Sequence, residues 1–120
     1  MKKLSTILLT IIISITLSAC NNKAELGGIN QEYKDAMSKG KSNVIEEEYD
    51  KAIDYFKLAL ESKENDTEAK NLIEQLNLLV EAEDSEEHGA YFFQIEKIDK
   101  INNIKTETDV VKDKANEYKK

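Results

Sequence analysis

The sequence predicts an all-α protein built from antiparallel helix hairpins, with about five helices beyond its N-terminal segment. Three observations carry that reading. From residue 30 onward apolar residues recur at i, i+3 and i+4 rather than alternating, which is helical periodicity. The 120-residue chain contains no proline to interrupt a helix. The breaks between periodic stretches are short, so consecutive helices should fold back on one another.

The first helix is expected to begin at Asn30, a residue suited to an N-cap, with Tyr33, Ala36 and Met37 on one face and Gly40 closing it. Ile45, Tyr49, Ala52, Ile53, Phe56, Ala59 and Leu60 mark a second helix, with Glu46, Asp50, Lys57 and Glu61 on its other side. Asn65-Asp66-Thr67-Glu68 reads as a capping sequence. It opens a third helix whose apolar face is Ala69, Leu72, Ile73, Leu76, Leu79 and Val80. The acidic run from Glu81 through Asp84 to Glu87 reads as a solvated turn, with Ser85 available to cap the next helix. That fourth helix should bury some of Tyr91, Phe92, Phe93, Ile95, Ile98 and Ile101 and end at Asn102-Asn103. A last helix, starting at Thr106 or Thr108, places Val111, Ala115 and Tyr118 together.

The N-terminal segment is of a different kind. Lys2-Lys3 precede an apolar stretch from Leu4 to Leu17, and small residues come after it, as in a secretory signal peptide. A membrane-spanning helix needs about 20 predominantly apolar residues. This stretch is shorter and is diluted by Ser5, Thr6, Thr10, Ser14 and Thr16. Leu17-Ser18-Ala19-Cys20 resembles the signal motif of bacterial lipoproteins at all four positions. The resemblance implies cleavage before Cys20 and a diacylglyceryl group on its thiol, which would hold the chain on the outer face of the cell membrane. Cys20 is the only cysteine, so no internal disulfide competes for it. One acyl chain binds a bilayer only marginally, at about 0.8 kcal/mol per buried methylene, whereas two retain a protein there. The expected organisation is a signal peptide over 1–19, a lipidated tether over 20–29 and a helical domain over 30–120.

Removal of residues 1–19 would leave 15 Lys against 24 Asp and Glu, a formal net charge of −9, with no arginine. Such a chain lacks the basic footprint that nucleic-acid binding requires, and anionic headgroups would repel it.

A shift of 39 residues brings apolar positions into register: Tyr33 on Leu72, Met37 on Leu76, Phe56 on Ile95 and Ala59 on Ile98. A second shift places Leu72 on Val111, Leu76 on Ala115 and Leu79 on Tyr118. The segment from Tyr49 to Leu60 resembles the second helix of a tetratricopeptide repeat through Tyr49, Ala52, Phe56 and Ala59. It departs from that family at Glu64, where a proline is usual, in lacking an early Trp, and in the length of Ser42 to Glu48. The resemblance implies stacked hairpins whose concave face binds an extended peptide or partner helix. Lys34, Ser38, Asn71, Gln75 and Leu78 would lie on that face.

Catalytic chemistry finds little to work with. The single histidine, His88, sits in the acidic run, no phosphate-binding glycine loop is present, and no nucleophile–base pair is suggested. Glu83, Asp84, Glu86, Glu87 and His88 lack the ligand spacing of a calcium loop, so no metal or cofactor is expected. The expected function is therefore a non-catalytic, membrane-anchored protein-interaction module in the cell envelope. The alternative is an envelope lipoprotein that binds a small solute or metal ion.

Overall fold

The computed structural model describes residues 28–119. The expected signal peptide, Cys20 and most of the expected tether lie outside the described residues. Within the described residues, 32–119 form one compact unit. The described residues form five helices and no strand: α1 over 28–45, α2 Tyr49–Ser62, α3 Thr67–Glu87, α4 Tyr91–Asn103 and α5 Val110–Glu117. The all-α fold stands, and α3 is its centre, packing against α2, α4 and α5.

The core follows the helical stripes. Ala36, Met37, Gly40 and Val44 of α1 are buried, as are Tyr49, Ala52, Ile53, Phe56 and Ala59 of α2. From α3 come Ala69, Leu72, Leu76, Leu79 and Ala82, from α4 Ile98 and Ile101, and from α5 Val111 and Ala115. Phe56 is the largest side chain with no solvent exposure. The alanines at 52 and 59 are equally enclosed, so the α2 backbone approaches its neighbours closely on either side of that ring.

Several boundaries differ from the sequence reading. The chain is already helical at 28 and 29, inside the expected tether. Gly40 does not end α1, which runs through it to residue 45. A Cβ built on Gly40 would stand 2.5 Å from Phe56 Cε1 and 2.8 Å from Cδ1 and Cζ, so glycine is there to admit the ring. Ile45 therefore belongs to α1 and is exposed, while Val44 takes the buried position. Asp66, not Asn65, caps α3: its Oδ2 accepts from the Ala69 backbone N–H at 2.9 Å.

The acidic run is helix rather than turn. Ala82 extends the buried stripe of α3, and glutamates sustain helix well. Ser85 donates to the Glu81 carbonyl at 2.8 Å instead of capping α4, whose N-cap is Ala90. The actual turn is His88 to Ala90, where Gly89 takes φ +70°. α5 begins after Asp109, not after either threonine.

These changes explain where the repeat holds. Met37 and Leu76, and Leu76 and Ala115, are matched buried positions. Phe56 and Ile95 are not, because Ile95 is exposed. Past the matched pair Met37 and Leu76, α3 runs eleven residues to Glu87, whereas α1 runs eight to residue 45. Those three extra residues move the register of the next helix to 42. Ala52, Phe56 and Ala59 then fall on Gln94, Ile98 and Ile101, all buried.

Candidate functional site

The residues expected on a common binding face divide into three groups. Lys34 and Ser38 are exposed on α1 and line a shallow depression of about 330 Å³ with Tyr33, Met37, Lys41, Glu68 and Glu107. Asn71 lines an adjoining depression of about 290 Å³ with Thr67, Glu68, Lys105, Thr106 and Glu107. The two share Glu68 and Glu107, so together they make one shallow groove across α1, the start of α3 and the α4–α5 loop.

Gln75 is not on this face, contrary to the sequence reading. It has no solvent exposure, and its Nε2 donates to the carbonyls of Ile101 at 3.2 Å and Ile104 at 3.4 Å and lies 3.5 Å from Thr106 Oγ1. It donates to carbonyls at the end of α4, joining the Ile104 N–H on the Ile101 oxygen, a structural task. Leu78 is half-buried against the core. The periodic pattern could not separate Gln75 from its exposed neighbours, because a buried glutamine serving a helix end looks in sequence like a surface one.

The groove is held by polar ties. Glu68 accepts from the backbone N–H groups of Glu107 at 2.7 Å and Thr108 at 3.3 Å, and Asn71 Nδ2 donates to the Lys105 carbonyl at 2.7 Å. The sequence reading gave Glu68 only a capping role and did not single out Glu107. At the edge, Lys63 Nζ sits 3.9 Å from the centre of the Tyr33 ring. Burial, then the hydrogen bond to Asp66, pushes the Tyr33 phenol up to about 12. Lys34, Lys41 and Lys105 give this groove positive charge on an otherwise acidic protein, with Glu68 and Glu107 between them.

Two further depressions open on α2. One of about 540 Å³ is lined by Lys51, Asp54, Tyr55, Lys57, Leu58 and Glu61, residues of that helix alone. The other, about 340 Å³, lies between α1 and α2 at Glu32, Asp35, Ala36, Lys39, Tyr55 and Leu58. The first is the larger, but one helix surface does not enclose a ligand.

Among the described residues no group of three or more His, Cys, Asp or Glu side chains could hold a metal ion. The acidic run is divided around α3: Glu83 accepts from the Tyr118 hydroxyl, while Asp84 faces His88, its Oδ1 3.6 Å from Nδ1. His88 is exposed, and its pKa is raised by its hydrogen bond to the Asp84 carbonyl and by the Asp84 carboxylate. Among the described residues no helix is long and apolar enough to cross a membrane. Compared with known protein families, curated proteins and solved structures, the chain matches none.

Proposed function

We propose that this chain is a bacterial lipoprotein, anchored through a diacylglyceryl group on Cys20 to the extracytoplasmic face of the cell membrane. Its helical domain, similar to a tetratricopeptide module, holds a protein partner there without catalysis. The observation that carries the location is Leu17-Ser18-Ala19-Cys20 behind a lysine pair and a short apolar segment. The binding role is supported by the groove at Lys34, Ser38 and Asn71, which is open and shallow and mixes charged residues with apolar surface, a shape suited to an extended peptide rather than an enclosed solute. The close approach of Gly40, Ala52 and Ala59 around Phe56 supports the tetratricopeptide-like reading of the first hairpin.

Two experiments test this. Cells expressing the chain or Cys20→Ser are fed a clickable fatty acid and fractionated. Label and membrane retention are expected for the first and not the second; an unlabelled chain ends the lipoprotein reading. Crosslinking in living cells should then capture one stoichiometric protein whose yield falls in Lys34→Glu. Capture indifferent to Lys34→Glu and Ser38→Glu would remove the groove from the reading.

A further inference from the structure

The least expected feature of the surface is at the start of α4. Tyr91, Phe92, Phe93 and Ile95 are 63%, 76%, 57% and 52% exposed, four apolar side chains within little more than one turn and with little cover. Their placement is ordered. Tyr91, Phe92 and Ile95 share one face of α4 with Asp99 and Asn102, at spacings of three and four. The far half of that face is tied to α5 and the residues just after it by polar contacts. Asn116 exchanges side-chain hydrogen bonds with Asn102 at 3.0 and 3.3 Å, and Lys119 Nζ reaches Asp99 Oδ1 at 2.7 Å. α5 is only eight residues long and ends at the level of Asp99. The apolar half of the face, Ile95 to Tyr91, lies further along the same line.

The opposite wall of that line is α3. Tyr118 donates to Glu83, and one turn further along α3 stand Glu86 and Glu87, both exposed. Among the described residues, the line beyond α5 is thus left uncovered, a trough with Tyr91, Phe92 and Ile95 of α4 on one side and Glu86 and Glu87 of α3 on the other. The nearby lysines of α4 and the C-terminal turn are paired: Lys97 with Glu81, Lys100 with Glu96 and Lys119 with Asp99. The fractional positive charge of the α4 N-terminus does not offset these carboxylates.

We propose that this trough receives an amphipathic helix of a partner protein, collinear with α5, whose apolar side meets Ile95, Phe92 and Tyr91 and whose polar side carries Lys or Arg toward Glu86 and Glu87. A second copy of this chain fits worse, since pairing two such patches brings the acidic walls together. An anionic bilayer is disfavoured by the same carboxylates. The site is distinct from the groove at Lys34 and Asn71 and does not depend on it.

The test uses the purified full chain and a fluorescent helical peptide with leucines on one side and lysines on the other. Anisotropy should show binding that weakens about tenfold between low and high salt. Phe92→Ser and Ile95→Ser should each weaken it about tenfold or more, and Glu87→Lys likewise. All three positions are exposed, so unchanged circular dichroism separates lost binding from lost fold. Lys34→Glu should leave this binding unaltered, which keeps it separable from the groove. Equal binding of a peptide with glutamates in place of lysines would overturn the proposal, as would indifference to Phe92→Ser. So would self-association, or sedimentation with phosphatidylcholine vesicles, that Phe92→Ser abolishes.

Discussion

Gly40→Ala tests the closest packing in the fold. In an exposed helix interior this change stabilises by about 1 kcal/mol, because glycine gives up more backbone freedom than alanine. Here the new methyl would stand 2.5 to 2.8 Å from three carbons of the Phe56 ring, inside any normal contact. The ring cannot swing out to solvent, since Phe56 has no exposure and is flanked by Ala52 and Ala59. Overpacking of this kind costs about 1–3 kcal/mol. The net expectation is a loss of about 0–2 kcal/mol. The decisive measurement is a double-mutant cycle with Phe56→Leu, read by urea unfolding and circular dichroism. Leucine lacks the ring edge, so in that background Gly40→Ala should become neutral or stabilising, with a coupling of about 1–3 kcal/mol. If Gly40→Ala alone stabilises by its full helical gain and the two changes add, α1 and α2 are not in contact at this point.

Phe56→Ala should cost roughly 3–5 kcal/mol, and a urea midpoint equal to the parent's would refute its place in the core. Gln75→Glu would set a carboxylate against the carbonyls of Ile101 and Ile104, whose acceptors Gln75 now satisfies. It should destabilise by about 3 kcal/mol at neutral pH and by less in acid, where the introduced carboxyl is protonated and can donate; equal losses at both pH values would refute this role. Tyr33, Tyr49 and Tyr118 all have raised pKa values, chiefly from burial, with that of Tyr33 at about 12. The folded chain therefore holds phenolic protons that the unfolded chain releases near pH 10. Their contribution is complete below that pH and is lost as pH rises above it, that of Tyr33 as pH approaches about 12. Tyrosinate absorbance should lag in the folded chain relative to the chain in urea; coincident titrations would contradict the burial.

The helical class was legible because α2 and α3 bury most of the stripes their spacing defines, Ala52, Phe56 and Ala59 on one and Ala69, Leu72, Leu76 and Leu79 on the other, although Val80, read on the same face, is exposed. Boundaries were less so, for identifiable reasons. Gly40 carries the local mark of a helix end, yet its lack of a side chain answers to Phe56, sixteen residues away, and spacing does not report such a contact. Glu81 to Glu87 is polar enough to read as a turn, but Ala82 and the partly buried Glu83 keep it helical. Within the candidate groove, Lys34 and Ser38 were readable as exposed helix surface. Glu68 and Glu107 were not, because their juxtaposition depends on a loop 39 residues downstream folding back onto α3.

Tyr49 and Tyr91 open the second helices of the two hairpins, and local sequence treats them alike. Their surroundings do not. Tyr49 is buried, with Glu83, Tyr118, Glu47 and Lys114 around it, a setting completed by the end of α5. Lys114 ties that helix to the α1–α2 loop through Glu47 at 3.0 Å. α5 thus packs over the start of α2 and touches the far half of α4 through Asn116 and Asn102, and its eight residues reach no further. Among the described residues, the helix that helps to bury Tyr49 does not reach Tyr91, which is left exposed. Covering that surface requires another helix on the line of α5. Lengthening α5 by two turns of designed sequence, with leucines toward Ile95 and lysines toward Glu87, should therefore raise the urea midpoint and abolish binding of the basic peptide together. A lengthened helix that stabilises while peptide binding persists would place the peptide elsewhere.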